Sequence, residues 1–532
     1  MIAFGALLER LTFTPGRSAK IALLNRYFAT EPDPGRGYGL AVISGTLSFA
    51  AAKPALIRTL GAQCTDPVLF AWSYDYVGDL AETVALLWRG IPTGAPPTLG
   101  EVVAALRETP KAALPSLLGG WLDRMDASTR LALLKVVTGG LRAGASARLA
   151  ILALAEWGGV APGAVEEVWH GLAPPYSALF AWLEGRAGRP EPAGRATFRP
   201  LMLAHPLAQA DIGRLAASEY FAEWKWDGIR VELVATETER RIYSRGAEDV
   251  SASFPEILES LGAPAVLDGE LLAGSNQKIL SFNALQQRLN RKNPTRKLRE
   301  DCPVMVRLFD IMEDGSEDLR AFPLLARRAR LERLYAEQLP QRMDLSPLIP
   351  FESITELAVL RANARAADSE GLMLKRADSP YVAGRPKGLW WKWKRAPLSV
   401  DAVMMYAQRG HGKRSSFYSD FTFGLWAEDG ALLPIGKAYS GYTDAELLFL
   451  DRWVRNHTVA RFGPVREVEK LLVLEVAFDA VAPSSRHRSG VALRFPRIAR
   501  IRTDKPAAEA DRLETLLARV TPRDSSVPEA PA

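Results

Sequence analysis

Between Glu223 and Arg230 the chain reads Glu-Trp-Lys-Trp-Asp-Gly-Ile-Arg, with charged and apolar residues alternating. A period of two places successive side chains on opposite faces of a strand. Tyr220, Ala222, Trp224 and Trp226 then share one face, and Glu223, Lys225 and Asp227 share the other. A lysine between two carboxylates, on a strand backed by tryptophans, is unusual for a solvated surface. Taken alone, the four-residue pattern Lys-x-Asp-Gly is short, and paired charges on an exposed strand explain it well. The alternative is a nucleophilic lysine held near a nucleotide phosphate. Partners elsewhere in the chain decide between the two.

At 532 residues the chain is too long for a single core and is expected to hold about three domains. A net charge of only +6 means that an anionic partner has to be met by local patches. Two cysteines, Cys64 and Cys302, exclude a disulfide framework and a four-cysteine zinc site. Glu9 and Arg10 fall where a signal peptide needs an uninterrupted apolar core, and the most apolar run, Leu149 to Ala161, is broken by Glu156 and too short for a bilayer. The expectation is a soluble protein inside the cell, with no membrane partner.

Residues 1–195 read as helical. Thr98-x-x-Glu101 is a capping-box pattern, Asp79-x-x-Glu82 is similar, and Ser128 and Ser146 each precede leucines at helical spacing. Gly-Gly pairs at 119–120, 139–140 and 158–159 punctuate the helices. Arg10, Arg17, Lys20 and Arg26 suit an anionic partner or a solvated face equally. The Gly- and Pro-rich stretch 185–200 reads as a linker. Residues 200–396 then carry strand patterns at Ile242–Gly246, Ala265–Leu271, Val304–Met312, Glu370–Lys375 and Trp390–Arg395, with an amphipathic helix over Leu324–Leu339, which makes an α+β domain. On the last strand Lys392 and Lys394 share a face. Lys375 has the opposite strand parity from Glu370 and is left outside the site. Residues 397–520 hold strands at Val400–Tyr406, Phe421–Ala427 and Leu471–Phe478. One helix capped by Thr443-x-x-Glu446 interrupts them, and about five strands in all point to a small β-barrel of the OB-fold type. Ser485 to Arg502 carries six arginines and no acid, a one-sided run that favours phosphate contact. The tail, 521–532, has the composition of a disordered segment.

Together the strands supply one lysine nucleophile at 225, acids at 223, 270 and 370, lysines at 392 and 394 and an aromatic ring at 309. These types suit nucleotidyl transfer. An amine attacks an α-phosphate and splits one hard step into two, while lysines, arginines and Mg²⁺ neutralise the phosphates. Two carboxylates from different strands suit Mg²⁺, which takes few protein oxygens beside phosphate and water, and Phe309 suits a purine face.

From Pro200 to about Lys505 this order resembles the covalent nucleotidyltransferases, and within them the ATP-dependent DNA ligases. The resemblance makes Lys225 the residue that carries AMP and puts Glu223 near the adenine. It makes Arg230 and Arg245 contacts of the nucleotide and nick phosphate, Glu270 the ribose- and metal-linked acid, and Phe309 the ring on the adenine. Glu370 becomes the second metal acid, Lys392 and Lys394 meet the α-phosphate, and Arg385 is a further basic ligand. Arg494-Phe495-Pro496-Arg497, running on to Asp504-Lys505, is similar to the closing motif of the family, with Arg497 at the nucleotide. The resemblance implies that this motif swings over ATP during adenylylation and then turns away so that the barrel clamps DNA. The helical segment is similar to the DNA-binding domain of larger ligases, and its length and Ser485–Gly490 resemble bacterial accessory ligases. The implied enzyme works in the bacterial cytoplasm at the nucleoid, as a monomer on nicked double-stranded DNA, with ATP and Mg²⁺, in repair or recombination.

A capping guanylyltransferase shares the lysine motif but leaves the helical segment without a place. An RNA ligase is not separated by these residues, because 2′-hydroxyl selection is not legible in them. An NAD-dependent ligase would need the missing zinc cysteines, and no Gly-x-x-x-x-Gly-Lys-Ser/Thr occurs to support a P-loop. A catalytically silent nick-binding module needs none of the acids and lysines.

Overall fold

The computed structural model describes the chain apart from residues 48, 50–51, 91–93, 140, 142–143, 192–193, 276–277, 281, 290, 365–368, 411–415, 485–486 and 521–532. The tail expectation, the start of the arginine-rich run and Gly140 therefore lie outside the described residues.

Helices run from Ile2–Phe13 to Ser177–Leu183 with no strand between them among the described residues, around a continuous apolar core from Met1 to Leu183. Local chemistry sets several starts. The Thr98 hydroxyl accepts from the Glu101 N–H at 3.2 Å while the Glu101 carboxylate accepts from the Thr98 N–H at 2.7 Å, which pairs two donors that a helix start leaves free. Asp79 and Ser146 cap as expected. Ser128 does not cap. The helix Ala127–Thr138 starts two residues earlier, on Asp126, whose carboxylate takes the Thr129 N–H at 2.8 Å. Gly119 and Gly120 also depart from expectation, lying inside the helix Leu114–Leu122. No single helix among the described residues is long and apolar enough to cross a membrane.

Residues 200–396 build two sheets, and the lysine strand, Tyr220–Trp226, leads from the first into the second. In the first, the order is His205–Pro206, Trp390–Lys394, Ser369–Arg376, Tyr220–Trp226, Leu348–Ile349. In the second, it is Arg240–Ser244, Ile229–Ala235, Ala265–Ser275, Val304–Asp314, Glu317–Asp318. The chain passes from one sheet to the other at Asp227-Gly228. A Cβ at Gly228 would lie 2.3 Å from the Leu271 carbonyl oxygen, so only glycine lets the backbones approach here. The strand Ser369–Arg376 carries a bulge between Ser369 and Leu372, with Gly371 at φ 147°.

The helical segment abuts the second sheet. His170 packs between Phe198 and Tyr243, where burial pushes its imidazole down to about 4, and Arg320 reaches Glu167 at 2.5 Å.

From Leu398 onward one long strand, Leu398–Arg409, pairs with Tyr418–Trp426 on one edge and with Val465–Val468 and Val473–Phe478 on the other. Seven strands join this sheet and two more form the hairpin Ala480–Pro483/Val491–Arg494, so the region holds more strands than the five expected. Bulges interrupt the long strand, and bulges bend a strand and increase its twist. The helix Asp444–Asn456 has the expected capping box. The interior is a separate apolar core that includes Phe421, Phe423 and Phe478.

Candidate active site

Lys225 leaves its strand on the face opposite buried Trp226, and its Nζ pairs with the Glu370 carboxylate. Lys394 reaches the same carboxylate oxygen at 3.2 Å. Burial alone would raise the Glu370 carboxyl, but Lys225 and Lys394 outweigh it and hold the group at about 2. On the neighbouring strand Lys392 stands beside further cations. Burial lowers its amine first, and Arg385, Arg245, Lys225 and Lys394 lower it again. Arg245 is lowered by burial and then by Arg230 and Arg385. The structure therefore gathers Lys225, Arg245, Arg385, Lys392 and Lys394, from distant parts of the chain, into one positive cluster. Such a cluster is stable when an anion sits in it, and a polyphosphate fits that demand.

Glu270 faces this cluster from the second sheet. Burial pushes its carboxyl up to about 7; Asp268 and Glu370 add to the rise, while Lys225 and Arg230 oppose it. A carboxyl held so far up lacks a cation close enough to compensate.

Arg230, expected at the nucleotide and nick phosphate, is held in the structure by protein groups. Its guanidinium forms a fork on buried Asp268, at 2.9 and 2.6 Å, and touches the Tyr381 hydroxyl at 3.2 Å. Tyr381 in turn donates to Asp268 at 2.7 Å. The side chain is thus engaged by Asp268 and Tyr381, 5.5 Å from the centre of the Phe309 ring. Asp268 was legible, being two residues from Glu270 on the same strand face. Tyr381 carried no such signal.

Lys375 is the main correction. Its ammonium is buried, bonds the Glu223 carboxylate at 2.9 Å and stands 4.0 Å from the centre of the Phe309 ring. Parity excluded it only because the bulge at Gly371 adds a residue between Glu370 and Lys375 and so turns both toward the site. Phe309 is itself nearly buried and shares Lys375 with Trp390. Removing one member of a buried ion pair leaves an uncompensated charge. Lys375→Met is therefore expected to destabilise the protein by about 3–5 kcal/mol, and the double change with Glu223→Gln by much less. Denaturant titration of both single variants and the double variant checks this; single losses that simply add up to the double loss would show that the pair is not coupled.

From the C-terminal region it is Arg494, beside the Arg497 expected at the nucleotide, that reaches the end of the lysine strand. Arg497 pairs with Asp479 at 3.1 Å, and Lys394 approaches Asp479 at 3.6 Å, so Arg497 meets the site only through that carboxylate. Arg494 makes the direct contact. Its guanidinium binds both oxygens of Asp227, the Oδ1 contact being 2.9 Å, and lies 4.0 Å from Glu370. It also stands 4.5 Å from the centre of the Phe282 ring.

Known proteins resemble this chain over most of its length. A family model described as the ATP dependent DNA ligase domain matches residues 201–394, and one described as the ATP dependent DNA ligase C terminal region matches 414–505. A probable DNA ligase of Koribacter versatilis is 33% identical, with the alignment covering 95% of this chain and 94% of that protein. One from Streptomyces avermitilis is 31% identical over 95% and 96% of the two chains. Among solved structures, the chain named Pmar-Lig_PreS3 is similar with a TM-score of 0.56 at 15% identity, across 94% of this chain and 99% of its own. That likeness speaks for the fold alone.

Proposed function

The chain belongs to the ATP-dependent DNA ligases, and from that premise we propose that it seals 5′-phosphate/3′-hydroxyl nicks in duplex DNA through AMP carried on Lys225, in repair or recombination. The observation that carries this reading is the Lys225–Glu370 pair set among Lys392, Lys394, Arg245 and Arg385. Lys225 has to leave Glu370 and lose a proton before its amine attacks the α-phosphorus of ATP. The N–P bond forms as the bond to pyrophosphate breaks. An oxygen of the 5′-phosphate at the nick then displaces the lysine and takes the AMP. Finally the 3′-hydroxyl attacks that phosphate and AMP leaves. Through all three steps the cations hold phosphate oxygens whose charge grows in the transition state.

The acids fit a Mg²⁺ ion. Among the described residues no group of three or more His, Cys, Asp or Glu side chains is arranged to hold a metal, yet Glu270 and Glu370 flank the cation cluster and Glu270 is under-compensated. That suits an ion bound mostly by phosphate and water, with two protein carboxylates supplying the rest. When bound, Mg²⁺ would neutralise phosphate charge.

The apolar cores of the helical segment and of the C-terminal region, each separate from the clusters between them, support a division into a helical DNA-binding domain over 1–195, a nucleotidyltransferase domain over 200–396 and an OB-fold domain over 397–520. A single chain that closes around one duplex works as a monomer. Arg494 belongs to the closed arrangement. Its loss is expected to slow AMP transfer to Lys225 by about 10–100-fold, the worth of a charge-assisted pair, while sealing of a pre-adenylylated nick stays near wild type. Single-turnover assays of the two steps check this, and equal slowing of both would contradict a role confined to closure.

Intact-mass measurement after incubation with ATP and Mg²⁺, beside GTP and NAD⁺, followed by transfer to a nicked duplex, tests the whole reading. An AMP adduct from ATP alone and a sealed strand are expected. An adduct that never passes to nicked DNA would refute the nick-sealing reading.

A further inference from the structure

Away from the site, the helix Phe282–Leu289 is followed by a turn and the short helix Arg296–Asp301, which together carry Arg291, Lys292, Arg296, Lys297 and Arg299 within nine residues. Arg291, Lys292, Arg296 and Lys297 are exposed. Arg296 is matched by Glu300 at 2.7 Å, and among the described residues Arg291, Lys292 and Lys297 have no ion-pair partner. Solvated lysines and arginines are common, but this turn is held rigidly. Arg288, fully buried, donates to the Cys302 and Ser253 carbonyls at 2.8 and 2.9 Å and pairs with Glu256 at 2.7 Å. The Asn293 N–H bonds the Ala252 carbonyl at 3.0 Å, with Asn293 in the left-handed region at φ 58°. Thr295 caps the next helix, Arg296–Asp301. Asn293 is of a type that tolerates the left-handed region, and its backbone bond, with buried Arg288 anchoring the preceding helix, fixes where this stretch presents its charges.

The other end of the same helix locates the turn. Phe282 lies under Arg494, which binds Asp227 next to the lysine strand. Eight helical residues span about 12 Å, the length of roughly four base-pair steps of duplex. We propose that this basic turn is a second DNA contact, gripping backbone phosphates about four base pairs from the nick on one side; it rests on the nick-sealing reading above. Nucleic acid fits better than an acidic protein, because residues 291–299 present no exposed large apolar side chain to anchor a peptide.

The test uses the full chain and the charge-reversal variant R291E/K292E/K297E, with the milder R291Q/K292Q/K297Q beside it. All three positions are exposed, and formation of the AMP adduct without DNA reports an intact site. Should even the wild type form no adduct, it is the ligase reading that has failed. With adduct formation unchanged, the KM for a nicked duplex with long arms is expected to rise tenfold or more near 0.15 M salt. The log–log salt slope should become shallower by about 2–3, close to one unit for each phosphate that is no longer neutralised. In wild type, cutting one arm below about four base pairs produces the same loss, and the variants do not respond to that cut. Variants that make the adduct and seal with wild-type KM, salt slope and arm-length dependence would overturn the proposal. A polyglutamate peptide binding wild type but not these variants, with sealing unchanged, would give the turn to an acidic protein partner instead.

Discussion

Lys225→Ala is expected to form no AMP adduct and to seal nicks at least about 10⁴-fold more slowly, the scale of losing a covalent nucleophile. The geometry leaves no substitute. Lys392 and Lys394 sit in the same cluster, but Lys394 is directed to Glu370 and Asp479, and Lys392 stands among Arg385 and Arg245. Lys225→Arg separates nucleophile from charge. It keeps a cation beside Glu370, yet a guanidinium does not lose its proton in a protein, so it should be as dead in adduct formation as the alanine variant. The last step needs only the 3′-hydroxyl and a positioned adenylylated phosphate. Both variants should therefore retain sealing of pre-adenylylated DNA, the arginine variant more than the alanine. Intact mass and single-turnover sealing read the two steps separately. An adduct of the same mass on the alanine variant would show that another residue carries the nucleotide.

What was legible in the chain depended on regularity. The lysine strand alternates without interruption, and its face assignment holds: Tyr220, Ala222 and Trp226 are buried opposite Lys225. Thr98/Glu101 and Thr443/Glu446 form the capping boxes their spacing requires. Lys375 was missed because one bulged residue inverts strand parity, and a bulge at a glycine leaves no mark in a hydrophobic pattern. Ser128 misplaces the helix start because Asp126, two residues earlier, is also a capping type, and only the backbone shows which residue has non-helical dihedrals. That Arg494 reaches Asp227 while Arg497 pairs with Asp479 has a different cause. On the motif Arg-Phe-Pro-Arg the two arginines are three residues apart, and Phe495 at φ 51° turns the chain between them. Only the turn reveals which guanidinium meets Asp227 and which meets Asp479. The Asp268–Tyr381–Arg230 network was hidden for the most general reason, that a contact across 113 residues between a strand and a loop has no periodicity to betray it.

Glu270→Gln should move activity and stability in opposite directions. Sealing is expected to fall about 10²–10³-fold, since one of the two carboxylates that would hold the charge-neutralising Mg²⁺ is removed. Without nucleotide or metal, in protein stripped of AMP with pyrophosphate, stability should rise, and the rise should depend on pH. In the folded chain the carboxyl sits at about 7, above its value when unfolded. The folded state thus holds the proton more tightly, and the stability from that proton is complete below about pH 4.5 and is lost as pH climbs through 7. Glutamine has no proton to lose. The variant should match wild type near pH 4.5 and exceed it by up to about 3 kcal/mol by pH 8, from a shift of roughly two and a half units. Denaturant titration across this range measures the gap. A constant gap would mean that Glu270 does not titrate between those limits, and a gap that narrows with rising pH would reverse the sign of its burial. Adding Mg²⁺ and ATP provides the decisive comparison. If these ligands supply the missing cation, they stabilise wild type far more than the variant at pH 8 and close the gap. The carboxyl is then costly to the free protein because it is shaped for a charge that arrives only with the substrate.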